Sequence, residues 1–188
     1  MTFMKFVPIS AKYKTSEFRI HKILGLLLEF VNQERTKVDL PNKIKSQYLI
    51  VANPYLLRSN TQSESLNEYS DPPVYAHYLA KIYTFLCLRS FIFVRLLSQS
   101  HFPIFNTAEE AILFYQKLYP KQQQNLCLPR SLFAACTSKS FKNSGALFIG
   151  VFLPSKAMHA WIMEEEKQPD IYDDIWICYQ PVAVMYKE

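Results

Sequence analysis

Cys127 stands where a thiol can be made nucleophilic. It follows a polar stretch, residues 121–125 (KQQQN), and opens a predicted helix running to about Ser138. The first turn of a helix leaves backbone N–H groups without intrahelical partners and carries the positive end of the helix dipole. A thiolate is stabilised there and its pKa falls. The same N–H groups are placed to receive the oxyanion formed when a carbonyl is attacked. Pro129 suits such a first turn, because its missing N–H has no partner to lose. Cys136 lies nine residues further on, beside Ala134 and Ala135, and reads as core. Cys87 and Cys178 are flanked by apolar residues and read the same way.

A thiol nucleophile needs a base, and His159 is the candidate. It precedes Ala160 and Trp161 on a predicted strand, residues 158–164. Side chains at i and i+2 share a face of a strand, so Trp161 stands beside His159 and shields the pair from water. His21, His77 and His101 fall on helices or at a helix end, away from any helix-opening cysteine. A carboxylate would hold the imidazole in the right tautomer. Residues 170–179 (DIYDDIWICY) offer Asp170, Asp173 and Asp174. If this segment pairs with residues 158–164 as a hairpin, Asp174 comes alongside His159, with Asp173 the alternative. Alternation of faces lets only one of those two point at the imidazole. Gln124, just before the predicted helix, is a candidate side-chain donor to the oxyanion.

These residues need elements to hold them. Residues 3–10 read as a short strand, 18–31 as an apolar helical run, and 47–52 as a second strand. Residues 61–73 (TQSESLNEYSDPP) are polar, end in two prolines and read as a linker. Residues 74–97 form a long apolar helical run in which His77, Lys81, Arg89 and Arg95 occupy roughly one third of the circumference. That stripe argues against a membrane span and for an amphipathic helix mostly buried in protein. His101-Phe102-Pro103 stops it. Asn106 or Thr107 caps the next helix, with Glu109 and Glu110 in its first turn, and Pro120 ends it. After the Cys127 helix and a turn at FKNSG, the run ALFIGVFL (146–153) reads as a central strand. The order predicts an α+β fold with helices packed on an antiparallel sheet.

The composition narrows the function classes. With 188 residues, 49% hydrophobic, the chain suits one globular domain and a smaller appendage. Only three glycines are present, and neither a dinucleotide fingerprint nor a P-loop is found. The net charge of +5 is scattered without a basic run, so no nucleic-acid partner is expected. The four cysteines show no CxxC spacing, so neither a metal site nor a disulfide framework is expected. The N-terminus lacks the apolar stretch of a signal peptide, and a reducing, cytoplasmic setting without a membrane partner is the expectation.

The strings NLCLPRSLFAACTS and GALFIGVFLPSKAMHAWIM, followed by an aspartate-bearing segment, resemble the transglutaminase-like cysteine peptidases that process lasso-peptide precursors. These are the B proteins of lasso clusters, of the microcin-processing type. The pattern falls on Cys127, Arg130-Ser131-Leu132, Gly150-Val151, His159-Ala160-Trp161-Ile162 and Asp173 or Asp174, and spans roughly residues 105–188. Here Ile162-Met163 separate Trp161 from Glu164, and the segment before the aspartates is longer and more acidic than the family's usual form. The resemblance implies a papain-like Cys-His-Asp peptidase at residues 74–188 and leader recognition by residues 1–60. It implies a precursor peptide as substrate and an ATP-dependent lactam synthetase of the asparagine-synthetase type as partner. ATP would be required only through that synthetase, since no cofactor motif is visible. Two other readings use the same residues: a transglutaminase or acyltransferase, and a non-catalytic peptide-binding module.

Overall fold

The computed structural model describes residues 4–8, 23, 40–52, 72–120, 126–152, 154–155, 157–164 and 178–187. The elements in chain order are β1 (Met4–Pro8), α1 (Asn42–Ala52), α2 (Tyr75–Arg89), α3 (Phe91–Ser98) and α4 (Ala108–Leu118). They continue with α5 (Cys127–Thr137), the single turn α6 (Phe141–Ser144), β2 (Gly145–Phe152), β3 (Ala157–Glu164) and β4 (Gln180–Lys187). The strands form one sheet in the order β1-β4-β2-β3, every neighbouring pair antiparallel. The α+β class expected from the sequence is what the chain adopts.

β2 is a nearly unbroken apolar run because both of its faces are covered. Leu147, Ile149 and Val151 join the core beneath the helices, whereas Ala146 and Phe148 join a second cluster with Ile44 of α1 and Trp161 of β3. Such two-sided burial is what a continuous apolar strand signals. The helix α5 lies at the centre of the helical layer. It touches α2, α3, α4, α6, β2 and β3, and all eleven of its residues are buried. Phe133 is the hub, with ring contacts to Tyr83, Phe105, Phe114 and Tyr115. Without glycine to close it, α5 ends against residues 102–105. The N–H groups of Phe102 and Ile104 donate to the carbonyls of Cys136 and Thr137, satisfying acceptors that a helix end leaves open.

The expected cap of α4 is Thr107, whose Oγ1 accepts from the Glu110 N–H at 3.2 Å while Glu110 reaches back to the Asn106 N–H. The buried Glu164 at the end of β3 adds a second anchor. Its two oxygens accept from the Ala108 N–H at 3.0 Å and the Ser140 hydroxyl at 2.6 Å. A carboxylate at a helix N-terminus is favoured by the dipole, and it fixes the far end of the strand that carries His159.

Four expectations are corrected. Residues 47–52 are not a strand but the end of α1. The Pro41 carbonyl accepts from the N–H groups of Ile44 and Lys45, starting a helix whose Ile44 is buried against the sheet. Residues 74–97 are two helices and not one. Ser90 is extended, with φ −158° and ψ 143°, and its Oγ accepts from the Ile92 N–H, so it caps α3 where α2 stops. This run is also not mostly buried: α2 turns inward only Ala76, Ala80, Tyr83 and Cys87. β4, from Gln180, pairs with β2 and β1; the predicted strand 170–179, save its last two residues, and its hairpin with 158–164 lie outside the described residues. The expected turn at FKNSG is helical over α6. The helical run 18–31 and the linker 61–73 lie outside the described residues, save Ile23 and the Pro72-Pro73 end of the linker. From residues 1–60, β1 pairs with β4 and Ile23 joins the helical core.

Candidate active site

Cys127 is the first residue of α5, as expected. Its N-cap, Leu126, offers no side-chain cap and its first turn holds no acid, so among the described residues the thiol stands at the positive end of the helix. Facing it is β3, whose other edge is taken up by β2. In a strand, the N–H and C=O of one residue point to the same side. At Ala160 both point away from β2, toward α5. The Ala160 N–H donates to the Cys127 sulfur, and the Ala160 carbonyl accepts from Ser131 Oγ at 3.1 Å. Cys127 and Ser131 are four residues apart and share one face of the helix, so a single turn of α5 satisfies the open edge of β3 at one residue.

That clamp sets the residue before it. His159 is hydrogen-bonded to Cys127 and only 5% exposed. Its ring lies nearly parallel to Trp161, with centroids 6.1 Å apart and an interplanar angle of 13°, and Tyr179 closes on it at 5.1 Å. Burial pushes the Cys127 thiol up. The hydrogen bond from His159, the imidazolium charge, the Ala160 N–H and the Arg130 charge outweigh it, and the thiol is held below its ordinary value. The shift is toward the thiolate, the form in which sulfur is nucleophilic.

Two other buried thiols are shifted the opposite way. Burial, then the neighbouring Cys136, raises the Cys87 thiol; burial pushes Cys136 up to about 11. The other described histidines are engaged elsewhere. His77 sits edge-on to Phe114. His101 Nδ1 lies 2.7 Å from Lys187 Nζ, and burial followed by the Lys187 charge lowers its pKa, so it is the neutral acceptor.

Gly150 is a site residue that composition alone does not reveal. It stands opposite His159 in the β2–β3 register. A Cβ there would meet Trp161 Cη2 at 2.5 Å and Cζ3 at 2.7 Å, and the Gln180 carbonyl at 3.0 Å. The indole thus lies across bare backbone, which lets Trp161 pack flat beside the imidazole. Neither a rigid ring nor a main-chain carbonyl can yield cheaply. Gly150→Ala is expected to cost about 1–3 kcal/mol of stability through overpacking. It should also shift the tryptophan emission and lower Cys127 reactivity, as thermal unfolding, fluorescence and alkylation rate would check.

Asp170, Asp173, Asp174 and Gln124 lie outside the described residues. Among the described residues, no group of His, Cys, Asp and Glu is arranged to hold a metal ion, and no helix is long and apolar enough to cross a membrane. All four cysteines are free, three of them buried and Cys178 exposed. No protein-family profile, curated protein or solved structure matches this chain.

Proposed function

We propose that this chain is a transglutaminase-like cysteine peptidase that removes the leader from a ribosomally made lasso-peptide precursor. The observation that carries the reading is the buried Cys127–His159 pair, with the thiol at an uncapped helix start and lowered in pKa. The substrate assignment rests on the motif resemblance described above. In the reaction, the Cys127 thiolate attacks the scissile carbonyl and a C–S bond forms. The imidazolium of His159 passes its proton to the leaving amine as the C–N bond breaks. The core peptide departs with a free α-amine, and the leader remains as a thioester. Water then adds to the thioester while His159 takes its proton, and the thiolate is regenerated. The freed amine is the group that an ATP-dependent lactam synthetase needs for ring closure, which places that synthetase as the partner.

In the same proposal, residues 1–60 hold the leader, and Asp174, or Asp173 in the other register, orients His159. Replacing the orienting aspartate by Asn is expected to lower kcat by about 10²-fold or more, with little change in precursor binding. Turnover of Asp174→Asn and Asp173→Asn, measured side by side, identifies it; no loss in either variant would remove both from the mechanism. Incubating the purified chain with a lasso-type precursor tests the function itself. Mass spectrometry should find a leader ending in a carboxylate and a core beginning with an amine. A leader recovered only as an amide of an added amine would mean acyl transfer, and an untouched precursor would refute the reading.

A further inference from the structure

The outer face of α2 and α3 is apolar, and none of the described residues covers it. Tyr78, Ile82, Phe85 and Leu88 on α2 are 40–63% exposed, and Ile92 and Leu96 on α3 are each 56% exposed. Each of these side chains still shows a large part of its area to water, roughly 100 Å² for an aromatic. Together they reach the upper part of the roughly 300–600 Å² that the largest patch of a monomeric soluble protein ordinarily shows. The ridge also has a charge pattern. Lys81, Arg89 and Arg95 are exposed on the same two helices, and no Asp or Glu occurs between Asp71 and Glu109. At 100° per residue, Lys81 and Arg89 each fall about 40° from Phe85, one on either side. The Arg89 guanidinium lies over the Phe85 ring, 4.7 Å from its centroid. The cation is thus held on the ridge itself by a cation–π contact.

We propose that this ridge docks the protein, lying flat, on an anionic lipid surface. The inference is independent of the peptidase reading and departs from the expectation of no membrane partner. An apolar face interleaved with cations and free of acids matches an interfacial helix on anionic lipid. The aromatic and aliphatic side chains enter the acyl boundary, on the order of 5–10 Å deep, and the cations reach the phosphates. A second copy fits poorly: a two-fold contact sets the same patch against itself, a face that carries Lys81, Arg89 and Arg95 and no acid to pair with them. A helical protein partner is normally received in a groove, whereas the outward arc of α2 is a convex ridge. Ser90 ends α2 and caps α3, whose exposed Ile92 and Leu96 add apolar surface beside Arg95.

The test uses the full chain in cosedimentation with vesicles of phosphatidylcholine alone and of an equal mixture with phosphatidylglycerol. The chain is expected to bind the mixed vesicles at least about tenfold more tightly, less so at high salt. Lys81→Glu combined with Arg89→Glu should remove most of that preference. Tyr78→Ser combined with Phe85→Ser should weaken binding to both vesicle types. These side chains are exposed, so melting temperature and the alkylation rate of Cys127 should stay unchanged and exclude misfolding as the cause. Equal binding to neutral and mixed vesicles would overturn the proposal. Indifference to both would overturn it as well and leave the ridge to a protein partner. A concentration-dependent dimer in sedimentation velocity, abolished by Phe85→Ser, would overturn it in favour of a second copy.

Discussion

Cys127→Ala should abolish precursor cleavage, lowering kcat on the order of 10⁴–10⁶-fold, because every bond-making step passes through its sulfur. Cys136→Ala is the matched control on the same helix. Its thiol is fully buried, donates to the Leu97 carbonyl at 3.4 Å and is pushed up to about 11 by burial. Losing it should cost about 1–2 kcal/mol of stability and leave turnover within a few-fold. Cleavage rates and melting temperatures of the two variants are the check. Equal loss of turnover in both, with both folded, would move the nucleophile away from the start of α5.

His159→Gln is the second large effect. Glutamine keeps a polar side chain between Trp161 and Tyr179 but cannot carry the imidazolium charge or a transferable proton. Two of the influences that hold the Cys127 thiol down come from this one residue, its hydrogen bond and its charge. Without them burial dominates and the thiol rises. Turnover should fall roughly 10²–10⁴-fold, the range expected for removing a general acid–base. A purely structural histidine would instead lower the melting temperature without altering the pH dependence of the surviving activity.

The pair itself could be read from local signals. A cysteine after a polar loop, followed by a proline in the first turn, marks a helix start, and His-Ala-Trp marks a strand with one shielding aromatic. The edge geometry could not be read. That Ala160 offers both its N–H and its C=O to α5 depends on β2 occupying the other edge of β3, a non-local pairing. The same cause hides β4, which lies between β1 and β2, with β1 coming from the far end of the chain. The Tyr48–Ala52 run of α1 is apolar without a decisive period, and the helix is declared upstream, by Pro41. For α2 and α3, neither the single helix nor the burial of its wide apolar face holds. The inward face uses small residues, Ala76 and Ala80, and leaves the large ones outside.

The most direct test of the Cys127–His159 pair is the rate of iodoacetamide alkylation at Cys127 against pH, read peptide by peptide in the intact, folded chain. The thiol is held below its ordinary value, so the thiolate persists as pH falls below the range where a free cysteine protonates. Its reactivity is lost only when pH passes below the lowered value. The account predicts that at pH 6–7 Cys127 reacts faster than free cysteine, about tenfold or more. Cys87 and Cys136 should stay unmodified, and His159→Gln should return the Cys127 profile to the alkaline range. A wild-type profile no lower in pH than that of free cysteine, or one unchanged by His159→Gln, would contradict the account.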